Sequence, residues 1–547
     1  MKISEILRKD FEVRGDPETI AGEPVYDSRQ VVAGGIFTAL KGENLDGRDF
    51  IEAAMEKGAA AIVYGKDTEG IEKLRDKYPE AVLIGVKDER DAMAYISDAY
   101  YGRPSEALTM VGITGTNGKT TTSYIIRAIL ERWGRNTGLI GTITYLIKDA
   151  SFDALHTTPE APDLQKLIRE MADAGCSHVV MEVSSHALAQ KRVDYTRFKV
   201  AVFTNLTRDH LDFHGSMEEY YITKERLFTE LLSAGGSAVI NTDDPYGKRL
   251  AEGLAASAKD INVLTFSVND PHSDIRAMDI RTDFDGISFR IHACGHGYDE
   301  LAGLEIRSPL IGGVNVYNTL SALCSAFAMN IPSNIIKEGI EMAALVKGRF
   351  EKVDVGQDFL AVVDYAHTED ALEGLLMTAR QLLEAYRFAA GTEKMFRAKR
   401  RQFDMADESK GGKIITVFGC GGNRDRGKRS KMGRIAAQLS DFVIITSDNP
   451  RNEDPKSIIR EIEKGIEGDN YIVIPDRNVA IGMAVELASA GDIVLIAGKG
   501  HEEYQEIRGM RRSFSDRTAL ENAIRRTISR PAFGGGTNLT GAEASRC

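Results

Sequence analysis

Short apolar runs alternate with longer stretches of helical periodicity along most of the chain. The runs at 109–113, 414–418 and 493–497 are rich in β-branched residues and do not alternate with polar ones. Continuous apolar runs of this kind indicate strands that are buried on both faces. Strands that alternate with helices predict α/β domains with mainly parallel sheets.

Changes in this pattern predict three folded domains. A turn-rich stretch at 101–104 precedes a new strand, and a second break lies at 346–350. We therefore expect domains at 1–105, 106–346 and 347–530. The third domain contains four strand-like runs that are separated by helical stretches, at 359–363, 414–418, 442–446 and 493–497. This arrangement predicts a doubly wound sheet.

Two segments depart from the α/β pattern. Residues 387–412 include a basic stretch with aromatic residues. A solvated helix or loop is favoured there, with a basic interaction patch as the alternative. Residues 531–547 have a glycine-rich start and little apolar content, which predicts a disordered tail.

Composition narrows the class of protein. The 547 residues are 43% hydrophobic and 27% charged, which is typical of a soluble globular chain with several cores. No apolar run approaches the ~20 residues of a membrane span, and no signal peptide is evident, so we expect no membrane insertion. Five cysteines without metal-ligand spacing favour reduced thiols in the cytoplasm. The net charge of −12 disfavours nucleic acid as a partner.

A phosphate-binding loop is the strongest local signal. The stretch Val-Gly-Ile-Thr-Gly-Thr-Asn-Gly-Lys-Thr-Thr-Thr at 111–122 follows a strand-like run and precedes a helical one. Gly115 and Gly118 allow the backbone to turn its amides toward phosphate, Lys119 supplies a cation, and Thr120 offers a hydroxyl to Mg²⁺. The glycine spacing departs by one residue from the strict P-loop pattern. A chance Gly-Lys-Thr in a turn is the alternative.

Candidate metal ligands follow downstream. An apolar run at 179–181 ends at Glu182, which predicts either a Mg²⁺ ligand or a buried carboxylate paired with a base. A loop at 203–215 gathers carboxylates and imidazoles at Asp209, His210, Asp212 and His214. A zinc-like site is conceivable there, but the oxygen-rich set favours Mg²⁺ with mixed ligands.

A lysine follows on the next helical stretch, at 220–228. Periodicity alone favours Lys224 as a surface lysine whose aliphatic stem covers apolar surface.

In this order, the motifs resemble those of the Mur ligase family of ATP-dependent amide-bond-forming ligases. The resemblance covers essentially residues 20–525 and rests on stretches at 115–121, 182–186, 204–214 with Lys224, 312–318, 348–351 and 364–368. Further stretches resemble the members that add the third residue of the peptidoglycan stem peptide to UDP-N-acetylmuramoyl-L-alanyl-D-glutamate. These lie at 27–29, 157–160, 419–425, 448–451 and 497–502.

The resemblance implies an architecture and a reaction. It implies an N-terminal domain for the UDP substrate, a central P-loop ATPase with a parallel sheet and a C-terminal Rossmann-like domain. The γ-phosphate of ATP would pass to the D-glutamate carboxylate, and the incoming amine would displace phosphate from the acyl phosphate. The implied protein is a cytoplasmic monomer that acts on small molecules in cell-wall synthesis and cell division.

The resemblance also assigns site residues. Catalytic roles fall to Lys119, Glu182, His210 and Lys224. ATP contacts are implied for Gly115, Thr116, Asn117, Gly118, Lys119, Thr120, Thr121, Asn315, Arg349 and Asp364. The UDP-muramyl dipeptide would contact Ser28, Thr157, Thr158, Ser184, Gln190 and Arg192. Metal contacts are implied for Thr120, Glu182, His210 and Lys224, the last as a carbamate. His156 stands where a polar amide is common in the family.

The acceptor is predicted from the Asp448-Asn449-Pro450-Arg451 loop that follows the run at 442–446. The planar fork of Arg451 suits a carboxylate. Together with Arg424, Gly498 and Glu502, this loop suits meso-diaminopimelate, which has a distal carboxylate and ammonium, and in the family the motif marks the diaminopimelate enzymes. A surface ion pair of Arg451 and an L-lysine-adding ligase are the alternatives.

Two other functions are alternatives to a peptidoglycan ligase. A folylpolyglutamate synthetase would share the ATPase core but would not need the first domain. A non-catalytic nucleotide-binding switch would bind ATP without releasing phosphate in response to an amino acid.

Overall fold

The chain forms two compact units, Met1–Lys347 and Gly348–Cys547. The computed structural model describes residues 1–42, 45–283, 286–295, 297–343, 346–398 and 412–529. Within these ranges, no helix is long and apolar enough to cross a membrane. The first unit contains a five-stranded and an eleven-stranded sheet, and the second contains a six-stranded sheet and a two-stranded hairpin. The α/β class is confirmed, and the exact domain boundaries stay predictions.

A small sheet occupies the start of the first unit. Its strands are β1 (Glu12–Arg14), β2 (Pro24–Val25), β3 (Ile36–Thr38), β4 (Ala61–Gly65) and β5 (Val82–Val86), in the spatial order β1-β5-β4-β3-β2. The accompanying helices are α1 (Ile51–Glu56), α2 (Ile71–Lys77) and α3 (Glu89–Tyr100). Both β4 and β5 are buried along their whole length, which agrees with their continuous apolar sequences.

The second sheet of this unit carries the phosphate-binding loop. Its strands are β6 (Thr109–Thr114), β7 (Thr137–Ile140), β8 (Thr144–Ile147), β9 (Ala150–Asp153), β10 (His178–Glu182), β11 (Phe198–Phe203), β12 (Leu232–Asn241), β13 (Ile261–Ser267), β14 (Ile275–Asp283), β15 (Gly286–Ala293) and β16 (Glu305–Ser308). Their spatial order is β16-β15-β14-β13-β12-β11-β6-β10-β7-β8-β9.

The middle of this sheet is parallel and its two ends are antiparallel. All pairs from β14 through β6 to β7 are parallel, whereas β15, β16, β8 and β9 are added as antiparallel strands. The predicted parallel sheet is therefore confirmed at its centre. Helices cover it as α4 (Lys119–Arg132), α5 (Ala161–Asp173), α6 (Ser185–Ala189), α7 (Leu211–His214), α8 (Met217–Arg226), α9 (Pro245–Ala255), α10 (Val314–Ala328) and α11 (Ser333–Glu341).

The second unit contains a sheet that is parallel except for its first strand. The strands are β17 (Glu351–Val353), β18 (Leu360–Asp364), β19 (Ile414–Phe418), β20 (Phe442–Ile445), β21 (Tyr471–Val473) and β22 (Ile493–Ala497), in the order β17-β18-β22-β19-β20-β21. A hairpin of β23 (Tyr504–Ile507) and β24 (Met510–Ser513) follows. The four strands predicted from apolar runs all occur here.

Helices of the second unit connect these strands. They are α12 (Glu369–Ala398), α13 (Gly427–Leu439), α14 (Pro455–Glu463), α15 (Arg477–Leu487) and α16 (Asp516–Ser529). The backbone of the basic segment belongs to α12 as far as Ala398. Its continuation at 399–411, and the predicted tail at 531–547, lie outside the described residues.

A fully buried ion pair supports the carboxyl ends of two strands in this unit. The Arg477 Nε atom lies 2.7 Å from Asp516 Oδ1, and both side chains are inaccessible to solvent. The same guanidinium donates to the carbonyls of Ala497, at the end of β22, and Ser447, just beyond β20. Each carbonyl precedes a loop with residues that are predicted to bind the incoming amino acid. The Arg477–Asp516 pair therefore fixes where those loops begin.

Candidate active site

The phosphate-binding loop connects β6 to α4, as the sequence predicts. Gly115 and Gly118 have φ values of +146° and +87°, and α4 begins at Lys119 without a side-chain cap. The Lys119 Nζ atom donates to the carbonyls of Gly115 at 2.7 Å and Thr116 at 2.9 Å. The ammonium group therefore lies at the mouth of a loop followed by an uncapped helix N-terminus, which is the geometry of an anion site.

Residues after β11 hold the loop in place. Asn205 Oδ1 accepts from the Asn117 N–H at 2.9 Å, and its Nδ2 donates to the Asn117 carbonyl at 3.2 Å. Thr204 Oγ1 donates to the same carbonyl at 2.6 Å. A Cβ atom at Gly115 would run into Thr204 Oγ1, so only glycine leaves room for this contact.

Thr120 and Glu182 meet at the start of α4. Thr120 Oγ1 donates to Glu182 Oε2 at 2.9 Å, and both residues are buried. Glu182 also accepts from the Thr142 amide and hydroxyl, each at 2.9 Å. Glu182 is thus a carboxylate hydrogen-bonded by hydroxyls and an amide. Among the described residues no basic side chain pairs with it, so the alternative of a buried carboxylate paired with a base gains no support.

Lys224 is buried against the phosphate-binding loop. It is 1% exposed, and its Nζ atom donates to the Gly115 carbonyl at 3.0 Å and lies 4.7 Å from the Tyr220 ring centroid. Burial, aided by the nearby charge of Lys119, lowers the pKa of Lys224 well below its usual value. The prediction of a surface lysine from periodicity is therefore wrong, because the loop and α8 together enclose the amine.

The partly exposed His210 ring lies beside the rings of His186 and Tyr220. The His210 ring centroid lies 4.7 Å from that of His186, and His210 Nε2 lies 3.2 Å from Asp209 Oδ2. His214 stacks on Tyr220 and its Nε2 lies 2.9 Å from Ser185 Oγ. Desolvation lowers the pKa of both His210 and His214, so each ring is neutral near pH 7 and retains a lone pair.

The oxygen donors beside the phosphate-binding loop fit Mg²⁺ better than zinc. Across the described residues, no group of three or more His, Cys, Asp and Glu side chains is arranged to hold a metal ion, so the zinc-like alternative for the 203–215 loop gains no support. Thr120 and Glu182 instead place two oxygens beside an anion site. Hard oxygen donors next to phosphates suit Mg²⁺, which is commonly bound through few carboxylates plus substrate phosphates.

Five of the six residues predicted for the dipeptide form one cluster. Thr158 Oγ1 donates to the Glu182 carbonyl at 2.8 Å and accepts from the Ser184 amide at 3.1 Å. Arg192 donates to the Thr158 carbonyl at 3.0 Å and to Gln190 Oε1 at 2.6 Å. Thr157 Oγ1 lies 3.1 Å from Thr142 Oγ1. The cluster thus adjoins the Thr120–Glu182 pair.

Ser28, the sixth residue, lies in the turn that follows β2 of the small sheet. Its carbonyl accepts from Lys57 Nζ at 2.9 Å, and no contact between the Ser28 side chain and the five clustered residues occurs in the described part of the chain. The neighbouring Tyr26 hydroxyl donates to Asp163 Oδ2 at 2.9 Å, which connects this segment to α5. Arg192, the residue predicted to supply positive charge to an anionic substrate, pairs with Glu160 at 2.9 Å.

The other predicted ATP contacts fall in both units. In the first, Asn315 Nδ2 donates to the Ile311 carbonyl at 2.8 Å and its Oδ1 accepts from Asn318. In the second, the Asp364 carboxylate accepts from the Phe350 amide at 2.6 Å, and the Arg349 guanidinium lies 4.5 Å from the Tyr365 ring centroid. Their roles toward ATP stay predictions.

The loop that is predicted to bind the acceptor, in the second unit, is fixed by its neighbours. Arg451, in a left-handed conformation with φ of +50°, donates from NH1 to the Gly422 carbonyl at 2.8 Å and lies 3.6 Å from Glu506. Asn449 donates to Glu502 Oε2 at 2.8 Å, and Lys499 Nζ lies 2.8 Å from the same oxygen. Glu502 is therefore already paired, a condition the sequence did not predict.

The other residues that are predicted to bind the acceptor lie on the same loop or on neighbouring loops. Pro450 and Asp448 are buried, whereas Arg424 is exposed. The Asp448 carbonyl accepts from Gln505 Nε2 at 2.7 Å. A Cβ atom on Gly498, whose φ is +117°, would lie 2.8 Å from Asp448 Oδ2. The loops after β19, β20 and β22 thus converge at the carboxyl edge of the sheet, where α/β sheets bind ligands.

Three family models match the chain in consecutive segments. The Mur ligase family catalytic domain matches residues 25–101, the Mur ligase middle domain residues 113–326, and the Mur ligase glutamate ligase domain residues 397–500. A protein of Geobacter metallireducens named UDP-N-acetylmuramoyl-L-alanyl-D-glutamate–2,6-diaminopimelate ligase is 42% identical over 92% of this chain and 94% of its own length. The chain belongs to the Mur ligase family.

Further relatives support the same family assignment. A ligase of the same name from Bacillus licheniformis is 41% identical over 93% of this chain and 95% of its own length. A solved structure titled as a UDP-N-acetylmuramoyl-L-alanyl-D-glutamate–2,6-diaminopimelate ligase superposes with a TM-score of 0.64 at 31% identity, covering 96% of this chain and 99% of that one.

Several site residues of this Mur ligase were not predicted from its sequence. Thr142 bonds Glu182, Asn205 anchors the phosphate-binding loop, and Lys499 pairs with Glu502. Asn205 and Lys499 lie within the motifs that carry the resemblance, and that position was the available signal. Thr142 lies in no such motif, and no sequence signal identifies it.

Proposed function

We propose that this Mur ligase adds meso-2,6-diaminopimelate to UDP-N-acetylmuramoyl-L-alanyl-D-glutamate in peptidoglycan precursor synthesis, with ATP hydrolysed to ADP and phosphate. The observation that carries the proposal is the phosphate-binding loop, with Lys119 at its mouth, Thr120 bonded to Glu182 and Lys224 buried against it. Relatives more than 40% identical along nearly their whole length are named for this reaction.

The chemistry explains why such a loop is needed. A carboxylate is a poor electrophile, so the γ-phosphate passes to the D-glutamate carboxylate, whose oxygen bonds to phosphorus as ADP departs. The amine of the acceptor then attacks the acyl carbon, loses a proton and releases phosphate. In the first step two anions approach each other, and Lys119 with the amides at the start of α4 offsets their repulsion.

Arg192 and its neighbours orient the other anion in this proposal. Its guanidinium is already held by the Thr158 carbonyl and Gln190. An arginine fixed in this way loses little freedom when it binds a carboxylate or phosphate. Thr157, Thr158 and Ser184 surround the strand end that carries Glu182 and would place the D-glutamate carboxylate beside the γ-phosphate.

Thr120, Glu182 and His210 are proposed to hold Mg²⁺, together with Lys224 as a carbamate. When bound, the ion would neutralise part of the charge on the nucleotide phosphates. The lowered pKa of Lys224 supports its modification, because only the unprotonated amine can attack CO₂. The Nζ–C bond forms, one proton leaves, and a buried neutral amine becomes an anion.

The second unit is proposed to hold the acceptor. Arg451 and Arg424 would bind the distal carboxylate of diaminopimelate, with Asp448, Asn449, Pro450 and Gly498 shaping the loop. Glu502 would bind the distal ammonium group while it remains paired with Lys499. A cytoplasmic, monomeric enzyme without nucleic-acid or membrane partners is part of the same proposal.

Phosphate release tests the function directly. The wild-type protein is mixed with ATP, Mg²⁺ and the UDP-muramyl dipeptide, and diaminopimelate or L-lysine is then added. We expect release to depend on the dipeptide and to be faster with diaminopimelate. A preference for lysine would identify a lysine-adding ligase, and ATP binding without acceptor-dependent release would identify a nucleotide-binding switch.

Replacing Arg451 with alanine should lower the ratio of kcat/KM for diaminopimelate to kcat/KM for lysine. Loss of one partner of a desolvated charge pair costs about 2–5 kcal/mol. At ~1.4 kcal/mol per tenfold, kcat/KM for diaminopimelate should fall on the order of 30-fold or more. Lysine has no distal carboxylate, so kcat/KM for lysine should fall much less.

The exposed Arg460 provides the matched control for this experiment. It is on α14 of the same unit, its side chain is 70% exposed, and Arg460→Ala removes the same charge. The control should leave the acceptor ratio and the KM for ATP unchanged. If Arg451→Ala lowers kcat/KM for diaminopimelate and for lysine by the same factor, Arg451 does not set the acceptor specificity. The ligase assignment would still stand.

A further inference from the structure

A buried arginine lies beneath the two loops that carry Arg424 and Arg451. The side chain of Arg429, on α13, has no solvent exposure. It donates to both carboxylate oxygens of Glu453 at 3.0 Å, to Glu461 at 2.8 Å and to the Gly421 carbonyl at 3.1 Å. A bidentate, desolvated pair of this kind has a well-defined geometry.

Glu453 extends this pair to the loop after β19. Its Oε1 atom accepts from the Asn423 amide at 2.6 Å, and its Oε2 atom accepts from Arg426 at 2.9 Å. Asn423 Oδ1 in turn accepts from the Asn452 amide at 3.1 Å. The carboxylate therefore ties the backbone next to Arg424 to the segment next to Arg451.

The two acceptor arginines meet across a glycine in this loop. A Cβ atom on Gly421 would lie 3.0 Å from Arg451 NH1 and 3.8 Å from Arg424 Cγ. Arg451 NH1 also donates to the Gly422 carbonyl at 2.8 Å. The separation of the two side chains therefore depends on where the 421–423 backbone lies.

We propose that Glu453 is a positioning residue for acceptor selection: through Asn423 and Arg429 it fixes the loop on which Arg424 and Arg451 converge. The inference rests on the proposed function, because it assumes an acceptor with a distal carboxylate. Glu453 is assigned no contact with the acceptor, because its two oxygens already accept from Arg429, Arg426 and the Asn423 amide. Its carboxylate remains ionised at neutral pH, since Arg429 chiefly lowers its pKa to about 2.

The test is Glu453→Gln, which keeps the shape of the side chain and removes its charge. A hydrogen bond to a charged group corresponds to about tenfold or more in an equilibrium constant. We therefore expect KM for diaminopimelate to rise about tenfold, because the loop is less firmly held. KM for ATP and for the UDP-muramyl dipeptide should stay within about twofold, and the ratio of diaminopimelate to lysine efficiency should fall.

Glu461→Gln is the matched control. Glu461 also pairs with Arg429, at 2.8 Å, but it lies on α14 and forms no hydrogen bond or ion pair with residues 419–425 in the described part of the chain. A general loss of stability from weakening Arg429 would affect both variants alike. A positioning role predicts that only Glu453→Gln changes KM for diaminopimelate.

A second variant avoids the buried arginine altogether. Asn423 is exposed and has φ of +52°, which glycine adopts without strain. Asn423→Gly removes the side-chain link to the Asn452 amide while Glu453 and Arg429 stay in place. It should fold normally and raise KM for diaminopimelate by about threefold, as expected for a net hydrogen bond of neutral groups.

The outcomes separate the inference from the function on which it rests. If the wild type shows no acceptor-dependent phosphate release, the proposed function fails. If the wild type uses diaminopimelate but Glu453→Gln leaves its KM unchanged, or Glu461→Gln shifts it equally, the positioning role is wrong. If Glu453→Gln does not fold, an unchanged KM in Asn423→Gly overturns the inference and a raised KM supports it.

Discussion

Replacing Lys119 with alanine is expected to reduce acceptor-dependent phosphate release by roughly 10²–10³, by analogy with removal of one preorganised donor from a transition-state site. The Nζ atom lies at the mouth of the phosphate-binding loop, 2.7 Å from the Gly115 carbonyl and 2.9 Å from the Thr116 carbonyl. A positive charge there is most valuable when the γ-phosphate is in transfer, so kcat should fall more than ATP affinity.

Lys248 serves as the control for this variant. It lies in the same unit and its side chain is 52% exposed, so Lys248→Ala removes an equal charge from solvent. Its turnover should match that of the wild type. Thermal unfolding and circular dichroism would establish that Lys119→Ala is folded. Near-normal turnover in a folded Lys119→Ala protein would falsify the assignment of this loop to phosphate binding.

The Lys224→Ala variant should be nearly inactive and should regain part of its activity when a small carboxylate such as formate or acetate is added. Lys224 is buried beside Gly115, and an uncompensated ammonium group is costly there. Conversion to a carbamate would supply an anion beside the phosphate-binding loop. Alanine leaves a space that a diffusible carboxylate can enter, which explains the expected rescue.

Two measurements distinguish this explanation from simple damage to the core. Lys119→Ala lacks a cation rather than an anion, so added carboxylate should not restore its activity. Mass spectrometry of the active wild-type enzyme in bicarbonate, under conditions that preserve carbamates, should show the added CO₂ on the peptide that contains Lys224. Fully active enzyme with an unmodified Lys224 would contradict the proposed role.

The amino-acid sequence determined the α/β class and the place of the nucleotide site. Strands β6, β19 and β22 are buried on both faces, and their apolar runs are therefore continuous enough to be located without a structure. The phosphate-binding loop is equally local, because its glycines, lysine and threonine are adjacent in the chain. Fold class and loop chemistry thus depend on interactions within one short segment.

Tertiary structure alone decided how the charged groups are paired. Periodicity favoured an exposed Lys224, yet α8 packs against the loop after β6 and encloses its amine. The partners of Glu182 come from α4 and from the turn before β8, and Glu453 joins loops that follow β19 and β20. Such contacts join residues that are tens of positions apart. Their burial and hydrogen bonding depend on which elements pack together, which no local pattern of the sequence contains.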